Sequence, residues 1–182
     1  ANPVPVLLRL LLRLQERRLD EGYPEFQPSN LEITRIDVPN TATNVIPGTA
    51  RAQLNIRFNP HHTGEDLARW IEDAAASEAD GFKGTVSVVP QISGEAFLTE
   101  PGPFTEVAAL AVQDIAGRRP ELSTSGGTSD ARFIRALCPV VALGLVGATM
   151  HQVDERAPVA EILKLQAVYE RLIERYFEAF AE

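Results

Sequence analysis

The sequence predicts an α+β domain followed by part of an α/β domain. In residues 49–58, small and apolar side chains alternate with polar ones, as in a strand that is buried on one face. The predicted order over residues 1–96 is α-β-β-α-β, which gives a two-layer domain with an antiparallel sheet and helices on one face. After the Gly- and Pro-rich residues 94–103, strands, a glycine-rich turn and helices alternate in βαβ order. We therefore place the two domains at residues 1–96 and 97–182.

Hydrophobic periodicity and turn residues predict the elements of the first domain. Leucines at helical spacing indicate a first helix, for which Gly22 is the expected stop. The alternation of the first strand changes phase near Arg35, which indicates a β-bulge. Thr63 with Asp66 three residues later resembles a capping box at the start of a second helix. The predicted elements are a helix over 3–20, strands over 31–38 and 49–58, a helix from Thr63 to near Gly81, and a strand over 85–92.

The second domain is predicted to contain a mostly parallel sheet. Ligand sites in such sheets lie at the carboxyl ends of the strands, where the Gly126-Gly127 turn and the loop carrying His151 both fall. Paired glycines let the backbone approach a ligand, and the flanking Ser and Thr hydroxyls offer hydrogen bonds. We predict that the turn and His151 face a common pocket. The predicted elements are a helix over 105–116, a strand near Leu122, a helix over 130–137, a strand over 140–146, and a final helix from Pro158 to about Phe180.

Composition and charge exclude some classes of partner. The formal net charge is −8 and the sequence has no block of five or more Lys and Arg residues, so we expect no nucleic-acid surface. No stretch approaches the roughly 20 uncharged residues that span a bilayer, so we expect no membrane segment. The single cysteine, Cys138, is predicted to be a buried structural thiol in a reducing cytoplasm. Because Met150 is the only methionine, we expect the chain to be part of a longer protein.

His151 and Arg57 are the main candidates for chemistry. His151 is either a metal ligand or catalytic base, or a hydrogen-bonded structural histidine. Zinc needs three or four ligands, and no second His or Cys stands at ligand spacing from His151, so residues from elsewhere would have to complete a metal site. Arg57 is either a solvated charge on the polar face of its strand or a bidentate clamp for a carboxylate, and spacing alone does not choose.

Two other groups of charged or polar residues have simpler interpretations. His61 and His62 are adjacent at the entry to a helix, where their side chains point apart, and we expect them to be exposed. Arg9, Arg13 and Arg17 recur along one side of the first helix and are expected to form a solvated face.

Six short motifs occur along the whole chain. They are ANP at residues 1–3, FQPSNL at 26–31, NVIP at 44–47, NIRF at 55–58, SGGTSDARF at 125–133 and MHQVDE at 150–155. Together these motifs resemble the desuccinylases of the M20 metallopeptidase family. The resemblance implies hydrolysis of the amide of N-succinyl-LL-2,6-diaminopimelate to succinate and LL-2,6-diaminopimelate, in the synthesis of lysine and peptidoglycan precursors, with one or two zinc or cobalt ions. It also implies that residues 1–96 are a lid domain that forms a homodimer and that residues 97–182 are the C-terminal part of a zinc-peptidase-like catalytic domain.

The resemblance also assigns roles to five residues. It makes His151 a metal ligand, and it makes Asn44, Arg57, Gly127 and Thr128 contacts for substrate carboxylate or amide groups, partly across the dimer. The other metal ligands, the general-base glutamate and an oxyanion-stabilising histidine of the family have no counterpart in this chain, which we therefore expect to be inactive alone.

Two alternatives to a desuccinylase are a related N-acyl amino acid deacylase, such as an acetylornithine deacetylase, and a dimerisation module only. A ferredoxin-like regulatory domain fits residues 1–96 but leaves the glycine turn and His151 without a role.

Overall fold

The computed structural model describes residues 1–124 and 129–181. The chain divides into two compact units, Ala1–Phe97 and Leu98–Glu182, which we call unit 1 and unit 2. The division falls within the Gly- and Pro-rich residues 94–103.

Unit 1 contains two helices and a two-stranded antiparallel sheet. Asn30 lies opposite Arg57 and Asp37 opposite Arg51, and the register shifts between Ile33 and Arg35, which confirms the predicted bulge. The core lies between the helices and one face of the sheet, around the fully buried Leu14. The elements are α1 (Pro3–Glu16), β1 (Asn30–Asp37), β2 (Arg51–Arg57) and α2 (Gly64–Glu78). Leu10, Ala74 and Ala75 complete the buried cluster, and Leu31, Leu54, Trp70, Ile71, Val86 and Val88 pack against it.

Helix α2 begins at its predicted cap, whereas helix α1 ends earlier than predicted. Thr63 Oγ1 accepts a hydrogen bond from the backbone N–H of Asp66 at 3.1 Å, so the capping prediction is confirmed. Helix α1 ends at Glu16, and the expected stop, Gly22, lies in a later turn with φ of 104°. Arg17, the residue after the helix, has an extended backbone, and its guanidinium carbon lies 4.6 Å from the centre of the Trp70 ring, a cation–π contact.

The arginine side of α1 is exposed, which confirms the prediction of a solvated face, and two of its arginines also contact α2. Arg9 Nε donates to Glu78 Oε2 at 3.1 Å, and Arg13 Nη1 donates to Ser77 Oγ at 2.8 Å. Both arginine side chains are still about half exposed, since the contacts lie at the outer edge of the helix pair.

The predicted third strand over residues 85–92 was wrong. Within the described part of the chain, the only sheet is β1 with β2. Val86 and Val88 nevertheless pack against the core, so the alternating pattern predicted which side chains face inward. The pattern could not predict a partner strand, and without one an extended segment forms no ladder of hydrogen bonds.

Unit 2 is built on the packing of two helices, α3 (Pro103–Ala116) and α5 (Val159–Phe180). Both helices agree with the prediction to within two residues. Ala111 and Val168 are buried between them. Asp114 on α3 accepts hydrogen bonds from Arg175 and Arg171 on α5, each at 2.7 Å, and these bonds lower the pKa of Asp114 to about 2. The helix pair is therefore joined by charge as well as by apolar contact.

Between α3 and α5 the structure differs from the predicted parallel sheet. Helix α4 covers only Ala131–Ile134, and the described residues near Leu122 and over 140–146 form no strand. Tyr169 Oη donates to the carbonyl oxygen of Leu143 at 2.6 Å, which holds the 140–146 segment near α5. A parallel strand requires a hydrogen-bonded neighbour, and none is present in the described part of unit 2. The prediction of a buried Cys138 was also wrong, because this cysteine is free and exposed.

None of the helices found in residues 1–124 and 129–181 is both long enough and apolar enough to cross a membrane.

Candidate functional site

The loop that carries His151 is closed at its base by a threonine. Thr149 Oγ1 donates a hydrogen bond to the carbonyl oxygen of Arg156 at 2.9 Å and accepts one from the backbone N–H of Arg156 at 3.0 Å. Within the loop, the backbone N–H of His151 donates to the Glu155 carboxylate at 3.4 Å. His151 is exposed. The loop over residues 149–156 therefore leaves His151 accessible on unit 2.

The backbone of this loop adopts an uncommon conformation at two positions. His151 has φ of 63° and Asp154 has φ of 60°, both in the left-handed region. Residues other than glycine are uncommon there, and such a conformation costs on the order of 1–3 kcal/mol. Backbone outliers of this kind cluster at functional sites. His and Asp are among the residue types that adopt this conformation most readily, so it defines the shape of the loop at both positions.

The described residues do not by themselves form a zinc site. Within residues 1–124 and 129–181, no group of three or more His, Cys, Asp and Glu side chains is placed to hold a metal ion. Zinc is bound by three or four protein ligands. His151 could contribute one of them, and the others would have to come from elsewhere.

Asn44 lies in the long loop between β1 and β2. It is exposed, in a turn at residues 43–45. Asn40 fixes this part of the loop, because its Nδ2 donates to the carbonyl oxygen of Val45 at 2.8 Å and its Oδ1 accepts from the N–H of Ala42 at 3.3 Å. Asn40 thus orders the loop, and Asn44 is left exposed without a described hydrogen bond of its own.

Arg57 is the last residue of β2, and its side chain is exposed. Along the strand, exposed and half-buried residues alternate, which confirms the predicted polar face. The described contacts include no carboxylate partner for Arg57. The guanidinium is therefore available to a ligand. Its exposure is consistent with both a solvated charge and a carboxylate clamp.

Asn44 and Arg57 lie towards opposite ends of the hairpin. The loop with Asn44 leaves the sheet at the Asp37 and Arg51 end, whereas Arg57 pairs with Asn30 at the other end. Six residue steps along β2 correspond to roughly 20 Å. The loop with Asn44 therefore begins and ends roughly 20 Å along the hairpin from Arg57.

Two predicted substrate residues, Gly127 and Thr128, lie outside the described residues. The predicted meeting of the glycine turn with His151 lies outside them as well.

Arg132 is a candidate that the sequence analysis did not single out. Its guanidinium carbon lies 4.6 Å from the centre of the Phe133 ring. Its Nε is buried and has no hydrogen-bond partner among the described residues. A buried polar group without a partner costs about 1–3 kcal/mol. Arg132 is therefore a candidate contact for an anionic group, and its place beside the glycine turn is the only signal for it in the sequence.

A buried polar cluster joins the α1–β1 connection to the β2–α2 loop, directly after Arg57. Asp20 Oδ1 accepts from the amide Nδ2 of Asn59 at 2.7 Å and from the backbone N–H groups of Gly22 and Ser29 at 2.8 and 3.1 Å. Asp20 Oδ2 is 3.1 Å from His62 Nε2. Asn59 is 1% exposed, and the side chain of Asp20 is 8% exposed.

The environment of Asp20 favours its charged form. Burial raises the pKa of Asp20, but hydrogen bonds from the Ser29 hydroxyl, the two backbone N–H groups and the Asn59 amide lower it by more. The pKa of Asp20 therefore lies well below its usual range. No sequence spacing links residues 20 and 59, so sequence reasoning missed this cluster.

The prediction that His61 and His62 are both exposed was wrong for His62. The side chain of His62 is only 15% exposed, because it turns inward to Asp20. His61 is exposed, and its Nε2 is 3.1 Å from the carbonyl oxygen of Gly22. The two rings thus contact the same short connection after α1 and order it against the β2–α2 loop.

Comparison with known proteins identifies a domain family and full-length enzymes to which this chain is similar. Residues 1–83 match the model of the peptidase dimerisation domain of M20 peptidases. The succinyl-diaminopimelate desuccinylase of Phenylobacterium zucineum (strain HLK1) is 77% identical over 177 residues, which are 97% of this chain and 47% of the relative. That of Caulobacter vibrioides (strain NA1000 / CB15N) is 67% identical over 181 residues, which are 100% of this chain and 47% of the relative. The chain thus spans about half the length of these curated relatives.

A solved structure shows the same fold. The crystal structure of the aminopeptidase PepT from Bacillus cereus ATCC 10987 matches with a TM-score of 0.71 at 24% identity, over 94% of this chain and 44% of that one. At this identity the similarity concerns the fold alone. The 77% identity to a desuccinylase over 97% of this chain confirms the resemblance found in the sequence motifs. Residues 1–83 match the dimerisation domain of M20 peptidases, and the chain as a whole is similar to about half the length of succinyl-diaminopimelate desuccinylases.

Proposed function

We propose that this chain is part of a cytoplasmic, metal-dependent amide hydrolase that converts N-succinyl-LL-2,6-diaminopimelate to succinate and LL-2,6-diaminopimelate. The observation that carries the proposal is the 77% identity to a succinyl-diaminopimelate desuccinylase across 97% of this chain. Because the chain corresponds to about half of such an enzyme, we propose that it is inactive alone.

We propose that unit 1 is the lid and dimerisation domain and that unit 2 is the C-terminal part of the catalytic domain. The apolar surface of unit 2 supports its assignment. Val153 is 92% exposed, Leu137 86% and Val146 75%, and one side of α5 adds the exposed Ile173 and Phe177. Apolar surface on this scale marks an interface. Further parts of the catalytic domain would cover it.

For the metal, we propose one or two zinc ions, with cobalt as a possible replacement, and His151 as one ligand. The accessible position of His151 and its left-handed backbone support this assignment. The described residues form no complete site, so the remaining ligands are proposed to lie outside this chain.

The proposed role of Arg57 is to bind a substrate carboxylate, and its replacement tests the function. In the full-length enzyme that contains this chain, we expect Arg57→Ala to lower kcat/KM for N-succinyl-LL-2,6-diaminopimelate roughly 30-fold. This corresponds to a loss of about 2 kcal/mol of transition-state stabilisation, the scale of a charge-assisted hydrogen bond. Steady-state kinetics with this substrate measure the effect. The chain alone serves as the inactive reference.

Arg51→Ala is the matched control, because Arg51 is the same residue type on the exposed face of the same strand, at its other end. Its kcat/KM should stay near that of the unmodified enzyme. Equal kinetics for the Arg57 and Arg51 variants remove Arg57 from the site. A higher kcat/KM for N-acetylornithine than for the succinylated substrate supports the acetylornithine deacetylase alternative instead.

The positions of Asn44 and Arg57 support a site shared between two subunits. Because the two residues belong to opposite ends of the hairpin, we propose that one of them acts on its own subunit's substrate and the other on the partner's, with dimerisation through unit 1. Asn44→Ala and Arg57→Ala enzymes should each be impaired. Mixed and re-associated, they should recover about one quarter of the unmodified rate, because half of the dimers are mixed and each has one intact site.

Failure to recover activity in dimers shown to be mixed, by tags of different mass on the two variants, contradicts the shared site. Mixing two preparations of the same variant controls for the refolding step. If the full-length protein dimerises but hydrolyses neither substrate, the remaining alternative, a dimerisation module only, is favoured.

A further inference from the structure

The chain leaves unit 1 through a segment that is attached to the first turn of α2. The backbone N–H of Gly64, the first residue of α2, donates to both carboxylate oxygens of Glu95, at 3.1 and 3.2 Å. These bonds connect residues that are 31 positions apart and are partly buried. Glu95 stands two residues before Phe97, where unit 1 ends.

The absence of a side chain at Gly64 allows this close approach. Gly64 is buried, and a Cβ atom there would lie 2.6 Å from Ile92 Cγ2 and 3.1 Å from Glu95 Oε1. Any larger residue would push both side chains away from the helix. The segment over residues 92–95 is therefore fitted to the first turn of α2 by shape as well as by hydrogen bonds.

The contact is also favourable electrostatically. The first N–H groups of a helix have no partner within the helix, and the helix dipole places partial positive charge there. Thr63 satisfies only the N–H of Asp66 with its side chain, so Glu95 supplies a second and charged acceptor for this terminus. Hydrogen bonds to charged groups are stronger than those between neutral groups.

Beyond this contact, the connection to unit 2 has little regular structure. The seven residues from Ala96 to Gly102 belong to no helix or strand, and α3 begins at Pro103. A hinge between compact units is formed by a few such residues, which take up the change in backbone angles.

We propose that Glu95 is a positioning residue that fixes the point at which the chain leaves unit 1 and so confines the hinge to residues 96–102. The proposed effect on catalysis rests on the proposed function, since the position of the lid then depends on where the hinge begins. The structural part does not depend on that function, because it concerns only the attachment of residues 92–95 to α2.

Hydrogen exchange in the full-length enzyme tests the attachment. Glu95→Ala should speed exchange at the amide of Gly64 by about 10- to 100-fold, the scale of a charged hydrogen bond. Glu95→Gln keeps one carbonyl acceptor and should give an intermediate rate. Glu100→Ala is the matched control, because Glu100 is an exposed acid in the same connection and forms no described contact.

Equal exchange in the Glu95→Ala and Glu100→Ala enzymes overturns the proposal. If Glu95→Ala does not fold, the comparison of Glu95→Gln with Glu100→Gln gives the same decision.

Steady-state kinetics test the effect on catalysis. Glu95→Ala should change kcat and KM together, as hinge substitutions do, while Glu100→Ala changes neither. Faster exchange with unchanged kinetics would support the contact between Glu95 and α2 but contradict its role in catalysis. Absence of desuccinylase activity in the unmodified enzyme would contradict the proposed function and leave the exchange result standing.

Discussion

Asp20→Ala is expected to lower the free energy of unfolding of unit 1 by about 3–5 kcal/mol, because it leaves several buried hydrogen-bond donors without an acceptor, at about 1–3 kcal/mol each. The Asp20 carboxylate accepts from Asn59, Gly22 and Ser29 and contacts His62. Alanine leaves these groups buried without an acceptor, and each such group adds its own desolvation cost. Chemical denaturation at pH 7, followed by the fluorescence of the single Trp70, measures the loss.

Asp37→Ala is the control for this prediction. Asp37 is paired with Arg35 at 3.7 Å, but both side chains are well exposed, so its removal should cost no more than about 1 kcal/mol. The difference in free energy of unfolding between the unmodified protein and Asp20→Ala also depends on pH in a defined way. Because the native pKa of Asp20 is lowered, its contribution is complete above the ordinary value of about 3.9 and is lost as the pH falls through the native pKa. Equal stability of the two variants at pH 7 would contradict the structural role of the cluster.

The sequence predicted the elements whose signals are local. The helices α2, α3 and α5 and the bulge at Arg35 were predictable because capping residues and hydrophobic periodicity act within one element. The strand predictions over residues 85–92 and 140–146 were wrong because a strand depends on a neighbour that may lie anywhere along the sequence. The buried position predicted for Cys138 assumed a sheet next to residues 140–146. The described part of unit 2 contains no sheet, and Cys138 is exposed.

The residues of the candidate site also fall into those that the sequence could predict and those that it could not. The exposed position of Arg57 was predictable from alternation along β2, because every second residue of a strand shares a face. The Asp20 cluster was not predictable, because its members come together only when α1 and the sheet have packed. The inward turn of His62 follows from that packing and not from its place beside His61.

His151→Ala is expected to have the largest effect on catalysis in the full-length enzyme. A metal ion contributes several kcal/mol to the stabilisation of charge in a transition state. If His151 is a zinc ligand, as proposed, its removal should lower kcat/KM by about 10³-fold, which corresponds to about 4 kcal/mol. The amount of zinc bound per subunit after dialysis should fall as well, and this second measurement separates a metal ligand from a residue that only contacts substrate.

His61→Ala is the matched control for the loss of a histidine. His61 is exposed like His151, but it lies in unit 1, and the described hydrogen bond of its ring is to the Gly22 carbonyl. It should retain both zinc and activity. Loss of activity with full zinc content in His151→Ala would argue for a base or a substrate contact at this position. Full activity would show that the left-handed backbone at His151 serves only the shape of the loop, and the imidazole would then have no part in the reaction.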